Sequence, residues 1–305
     1  MSWIVLAFLS ALLLGCYDVA KKASVRNNAV PAVLLVNVST AAIFWLGPIG
    51  YSVACTLNGT APVTPTGVHQ LIALAPHEHG LLFLKSLLVG CSWICAFFAL
   101  KHLPLSIASP IRATSPLWTI ACAVLLMGER PAPLQWLGIA VVIVAFLAFS
   151  RVGAREGIHF HRDRWVVLMM IGTLLGAASS LYDKYLLQQL AIPPATVQAW
   201  FSVYLVPVML PLAVRWYSRE RERVPFEWRP TIPLIAITLL AADYAYFVAV
   251  SDPNALISVI SPVRRSAVVI PFLFGVVYCK EPNWHLKAAC ITANLTGVYL
   301  LSQAT

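Results

Sequence analysis

"SIASPIRATSPLWTIACAVLLMGERP" (residues 106–131) places Arg112 inside an apolar run, and "SVISPVRR" (258–265) repeats the arrangement with Arg264 and Arg265. Ser106 falls on Ser258, Ser109 on Ser261, Pro110 on Pro262, Arg112 on Arg264 and Glu129 on Glu281, each pair 152 positions apart. Ser150 and Ser302 share that offset, whereas Tyr17-Asp18 meets Tyr182-Asp183 at 165. The 13-residue difference fits a longer connection near Cys55–Gly80 in the first half. Self-similarity over such a distance marks a duplicated chain.

The solvent of that duplicated chain follows from composition. The sequence is 60% hydrophobic and 11% charged, far short of the quarter that a water-solvated surface carries. Ten apolar runs are long enough, or nearly so, to cross a bilayer core: Trp3–Val19, Ala29–Ser52, Leu81–Leu100, Leu105–Met127, Leu134–Phe149, Trp165–Leu187, Thr196–Val214, Ile232–Val250, Ala255–Tyr278 and His285–Leu301. Leu134–Phe149 is short and must borrow flanking residues. None of the runs alternates as a membrane strand would, so helices are required to satisfy the backbone in lipid. Pro31, Pro104, Pro193 and Pro194 sit at expected helix starts, whereas Pro110, Pro116 and Pro262 are interior and should bend their helices. The expected class is all-α integral membrane.

Five runs per half force the two halves to enter from opposite sides. The expected organisation is ten transmembrane helices as two inverted five-helix repeats, residues 1–150 and 165–305, joined by a basic linker at 151–164. Inverted repeats around a midplane site are typical of secondary transporters. Lys and Arg, with Lys21 and Lys22 counted in the first loop, divide almost evenly between the two faces, so they do not orient the chain. "LLLGC" (12–16) resembles a lipoprotein cleavage site, but "MSW" lacks a basic residue, and a retained first helix is expected. The net charge of +9 sits largely in short loops, where anionic lipid headgroups rather than nucleic acid are the natural partners.

The stretch "ALKHLPLSIASPIRATSPLWTIACAVLLMGERPAPLQWLGIAVVIVAFLAFS" (99–150) resembles the EamA repeat of the drug/metabolite transporter superfamily, through its Ser-Pro helix, the "GER" turn and "LQWLGIAVVIVA". The second half matches more loosely, with "CKEP" (279–282) at the turn. The resemblance implies a ten-helix bundle of inverted halves that moves small organic solutes. Asp18, Lys85, Arg112 and Arg265 are charged where the ordinary pattern is not.

Charges at this depth cost roughly 2.5–3.5 kcal/mol each at a helix centre, so they must face the bundle interior. Two readings stand. Asp18 with an arginine of the fourth or ninth run, and Asp183 with the symmetric one, would be structural or coupling pairs, flanked by Tyr17 and Tyr182. Alternatively Lys85, Arg112, Arg264 and Arg265 bind an anionic or zwitterionic group. Arg265 and Lys85, lacking repeat counterparts, are the sharper candidates, since arginine grips carboxylate or phosphate in a fork. Asp243 is a proton-coupling acid or the partner of Lys85. Trp93, which aligns with Asp243 at an offset of 150, and Tyr246 join the candidate substrate-binding set.

No nucleophile–base constellation, phosphate loop or CxxC pair occurs in the sequence. "HEH" (77–79) and "HFH" (159–161) read as loop histidines without a third ligand, so neither metal nor cofactor is expected. The expectation is a non-enzymatic secondary transporter of a small metabolite, multi-pass in the plasma membrane (in a bacterium, the inner membrane), monomeric or homodimeric, and open to proton coupling. A sugar-phosphate or nucleotide-sugar anion exchanger is the alternative within transport. A membrane enzyme or lipid-handling flippase is the alternative outside it.

Overall fold

Lipid-compatible helices dominate the computed structural model, which describes residues 3–58, 70–115, 117–118, 133–155, 162–252, 255, 260, 263–278, 280 and 283–302. In chain order the helices are α1 (Trp3–Val25), α2 (Val30–Leu57), α3 (Pro76–His102), α4 (Leu105–Ala113), α5 (Pro133–Arg155), α6 (Arg164–Lys184), α7 (Pro194–Arg219), α8 (Thr231–Ser251), α9 (Val269–Val277) and α10 (Trp284–Ser302). A π-helical turn, Tyr185–Gln189, prolongs α6, and a 3₁₀ turn, Ser266–Val268, leads into α9. Among the described residues, α1, α2, α3, α6 with its π turn, α7 and α8 are long and apolar enough to cross a membrane. α5 recruits flanking residues as expected and reaches 23 residues. The C-terminal part of the fourth run, Pro116, Pro262, the "GER" turn, "HFH" and most of the loop after Asn58 lie outside the described residues.

Local chemistry sets the helix ends. Pro76 and Pro194 occupy first-turn positions where no backbone N–H is needed. Glu78 accepts a hydrogen bond from the Ala75 amide at 2.6 Å, so "HEH" is the first turn of α3 rather than loop. Asp163 caps α6 by accepting from the Trp165 amide at 2.7 Å. Asn27 turns α1 into α2 with a φ of 53°, a left-handed conformation that asparagine tolerates.

Side-chain bonds fix how the helices pair. Ser10 Oγ donates to the Ala242 carbonyl at 2.7 Å, and Ser24 Oγ meets Thr231 Oγ1 at 2.6 Å, so α1 and α8 run antiparallel. Ser92 Oγ donates to the Gly172 carbonyl at 2.7 Å, and Tyr182 donates to the Leu81 carbonyl at 3.2 Å, so α3 and α6 do the same. α2 packs on α7, α5 on α10 and α4 on α9, while α3 also meets α7, α2 meets α8, α1 meets α9 and α4 meets α6. The outward faces stay apolar: Phe8, Leu12, Ile43, Phe44, Val144 and Leu147 are all exposed. Such an inversion of the water-soluble pattern is what lipid contact selects.

One face carries a polar clasp. Arg229 donates to the Ala23 and Arg26 carbonyls at 2.8 and 2.7 Å, closing the end of α1. Lys22 donates to the Leu100 and Leu103 carbonyls at 2.7 and 2.6 Å, closing the end of α3. Asn28 accepts from the Ala29 and Glu227 amides at 2.8 and 2.9 Å and donates to the Glu227 carbonyl at 2.8 Å. Orphan carbonyls at helix C-termini are thus met by Lys22 in the last turn of α1 and by Arg229 in the loop before α8.

Gly172 sets the α3–α6 spacing. A Cβ there would lie 3.0 Å from the Ser92 carbonyl oxygen and 3.3 Å from the Ala96 nitrogen, both backbone atoms that cannot step aside, whereas a Cβ on Gly80 meets nothing within 4 Å. Gly172→Ala is therefore expected to destabilise the folded protein by about 1–3 kcal/mol, and Gly80→Ala to leave it unchanged or slightly more stable. Melting of the detergent-solubilised variants, followed by size exclusion, checks the contrast.

Candidate functional site

The antiparallel pairs α1/α8 and α3/α6 leave a cavity of about 120 Å³ between them, closed by α4, α7 and the segment before α9. Its polar wall comes from Tyr17 and Lys21 on α1, Lys85 and Ser92 on α3, Arg112 on α4, Asp183 on α6, Asp243 and Tyr246 on α8, and Arg264 and Arg265 ahead of α9. Trp93 lines the apolar side and packs edge-on against Phe201, ring centres 6.3 Å apart. Helical spacing explains the set from α3: Lys85, Val89, Ser92 and Ala96 recur every three or four residues along one face, and Trp93 lies four residues beyond Val89 on its edge.

The carboxylates are each engaged. Asp18, just behind the wall, accepts from Arg112 Nη1 at 2.5 Å and from Lys21 Nζ at 3.0 Å. Asp183 is bonded to Lys85, both side chains nearly sealed from solvent. Asp243 accepts from Arg264 Nη2 at 2.9 Å. The Arg264 guanidinium also lies 3.9 Å over the Tyr246 ring, and Lys85 sits 4.7 and 4.9 Å from the ring centres of Phe201 and Phe247. Aromatic faces add attraction for these desolvated cations.

These pairings differ in detail from the symmetric scheme that the repeat suggests. Asp18 takes Arg112, but Asp183 takes Lys85 rather than Arg264, and Asp243 takes Arg264 rather than Lys85. Tyr182 lies away from the cavity wall, its ring stacked on Tyr185. Lys21 is the residue that the sequence reading misplaced. It is not a loop cation; its side chain is buried at 1% exposure and reaches over the Tyr17 ring at 4.5 Å. Its spacing of three from Asp18 on a helix was the available signal.

Arg265 stands apart. Among the described residues it makes no ion pair; its Nη1 donates weakly to the Arg112 carbonyl at 3.4 Å, and its Nε finds no acceptor. The Arg264 Nε is unmatched as well. Among the described residues no group of three His, Cys, Asp or Glu side chains gathers to hold a metal. His79 instead engages the Tyr204 hydroxyl through Nδ1 at 2.8 Å.

Comparison with known proteins places this arrangement. Residues 1–151 match the EamA-like transporter family. The first half of the chain belongs to the EamA-like transporter family. This EamA-like chain is similar to the pseudopaline exporter CntI of Pseudomonas aeruginosa, with 24% identity over 170 residues that cover 55% of this chain and 57% of the relative. It is also similar to solute carrier family 35 member E4 of Rattus norvegicus, with 32% identity over 120 residues, 33% of this chain and 34% of that one. The match to the exporter therefore spans little more than half of the relative's length, and the match to the solute carrier about a third. Both are transport proteins by name rather than enzymes. A solved crystal structure shares the fold with a TM-score of 0.58 at 18% identity, over 99% of this chain and 97% of its own. The protein is thus a multi-pass integral membrane protein of a transporter family.

Removing one member of a buried ion pair leaves an uncompensated charge, which costs about 3–5 kcal/mol. Lys85→Met is expected to reduce the yield and melting temperature of folded protein sharply, and Lys85→Met/Asp183→Asn to recover most of the loss. Thermal melting of the single and double variants in detergent measures the recovery.

Proposed function

We propose that this chain is a secondary carrier of a small organic solute bearing an anionic or zwitterionic group, working by alternating access of two inverted five-helix halves. The packing supports the inversion. Exchanging each helix for its partner five places along turns α1/α8 into α6/α3, α3/α7 into α8/α2 and α1/α9 into α6/α4, all of which are contacts in the structure. The pairs α2/α7, α4/α9 and α5/α10 map onto themselves.

One observation carries the substrate chemistry: five buried or half-buried cations, Lys21, Lys85, Arg112, Arg264 and Arg265, gather around three carboxylates, Asp18, Asp183 and Asp243. The excess is positive, and Arg265, which lines the cavity, has a buried Nε without an acceptor. In a low-dielectric site a guanidinium without a carboxylate is strongly favoured to accept one from a ligand. Trp93 and Tyr246 offer apolar and aromatic surface for the remainder of the solute. Exporter and solute-carrier relatives agree with movement of an intact solute.

A thermal-shift panel of monocarboxylates, dicarboxylates, phosphate monoesters, zwitterionic amino acids and quaternary amines tests the charge preference. Stabilisation by anionic or zwitterionic members is expected; stabilisation by quaternary amines alone overturns the reading. Flux of the stabilising solute into proteoliposomes, chemically unchanged, separates carrier from enzyme. Arg265→Ala is expected to lower that flux to background while the folded protein survives in the membrane, and Arg265→Lys to restore only part of it, because lysine lacks the planar fork. Full flux in Arg265→Ala removes the anion reading.

A further inference from the structure

The two repeats are not in the same electrostatic condition. In the first, the α1 aspartate holds the α4 arginine: Asp18 with Arg112 at 2.5 Å. The equivalent groups of the second repeat are Asp183 on α6 and Arg264 ahead of α9, by the offsets of 165 and 152. They are apart, Asp183 holding Lys85 and Arg264 holding Asp243. A carrier built from inverted repeats reaches its opposite-facing state by exchanging the conformations of the two halves. We infer that the opposite-facing state contains the missing pair, Asp183 with Arg264, and lacks the pair Asp18 with Arg112. The inference rests on the carrier reading above and names the coupling groups within it.

The surrounding residues suit such an exchange. Asp18 keeps a cation after Arg112 departs, because Lys21 already lies 3.0 Å from it. Arg112 finds a partner as well: Trp93 occupies the position equivalent to Asp243, so the image of the Arg264–Asp243 contact is Arg112 over an indole face. The groups released on the other side, Lys85 and Asp243, line one cavity. Exchanging partners in this way avoids stranding a desolvated ion at either end, the step that would otherwise dominate the barrier.

Charge exchange at two pairs separates the states. Asp183→Arg/Arg264→Asp rebuilds the pair of the opposite state, but sets like charges together at both Lys85 and Asp243 in the described one. Lys85→Asp/Asp183→Lys does the reverse, rebuilding the described pair and setting the introduced ammonium against the Arg264 guanidinium in the opposite state. Access is read by placing Val89→Cys on the cavity wall of each variant. A membrane-impermeant maleimide is then added to one side of sealed vesicles at a time, and the label is located by site-resolved mass spectrometry. The two variants are expected to label from opposite sides, the ratio of rates shifting by roughly a hundredfold between them. Arg112→Gln, which leaves Asp18 its Lys21 partner and so strands no carboxylate, is expected to shift labelling in the same direction as Asp183→Arg/Arg264→Asp. Labelling of all variants from one side, while Val89→Cys in the otherwise unaltered chain labels from both, overturns the pair exchange and leaves the carrier reading standing. Labelling of that unaltered background from one side only overturns both.

Discussion

Three carboxylates set within a lipid-solvated bundle must each have a cation against them, and that constraint orders the centre of this molecule. Asp18 ties α1 to α4, Asp183 ties α6 to α3, and Asp243 ties α8 to the segment ahead of α9. Each pair crosses between helices rather than satisfying itself along one, apart from the supporting contact of Lys21 with Asp18. Buried pairs contribute little net stability when set against apolar side chains of equal volume, because desolvation offsets the attraction. What they impose is register, since a helix displaced by one turn would strand an ion. The geometry of the cavity is therefore determined by its charges before any solute enters.

The remaining cohesion is of a different kind. With apolar surface on both sides of a lipid-facing helix, burial of apolar area does little to choose one helix neighbour over another. Close backbone approach and interhelical hydrogen bonds take that part. Gly172 brings the backbones of α3 and α6 together beneath the Ser92–Gly172 bond, and at Gly297 of α10 a Cβ would lie only 2.9 Å from the Val142 nitrogen of α5. At the clasped face, Lys22 and Arg229 bind helix-end carbonyls, Arg229 also pairs with the Glu227 carboxylate, and Asn28 joins the Glu227 backbone. Much of the basic excess is thus structural, which weakens any argument from net charge to an acidic macromolecular partner.

Hydropathy made most of the helices legible, because lipid demands one uninterrupted apolar pattern for each crossing. It failed at their ends. α1 continues through Lys21, Lys22 and Ser24 to Val25, since its cations find carboxylate and carbonyl partners and so need not lie in water. The same assumption hid Lys21 from the site. Charge depth and repeat offsets did gather Lys85, Asp183, Asp243, Arg112, Arg264 and Arg265 around one cavity wall. They gave Asp18 an arginine of the fourth or ninth run, which is Arg112, but not the partners of Asp183 and Asp243. A sequence repeat records equivalence between positions averaged over every state of the protein, whereas a structure shows one state, in which the halves must differ if the cavity is to open toward one side.

In the proposed carrier that difference would link solute binding to conformational change through a single group. Arg264 holds Asp243 in the described state, has an unmatched Nε, and stands beside Arg265 at the cavity. In the proposed carrier an arriving anion would compete with Asp243 for the same guanidinium. Success would loosen α8 from the segment ahead of α9, the contact that would have to break before Arg264 could reach Asp183. A ligand shifts an equilibrium only by its differential affinity for the two states. In the proposed carrier that differential would have a physical source: the anion would replace a contact that one state possesses and the other does not.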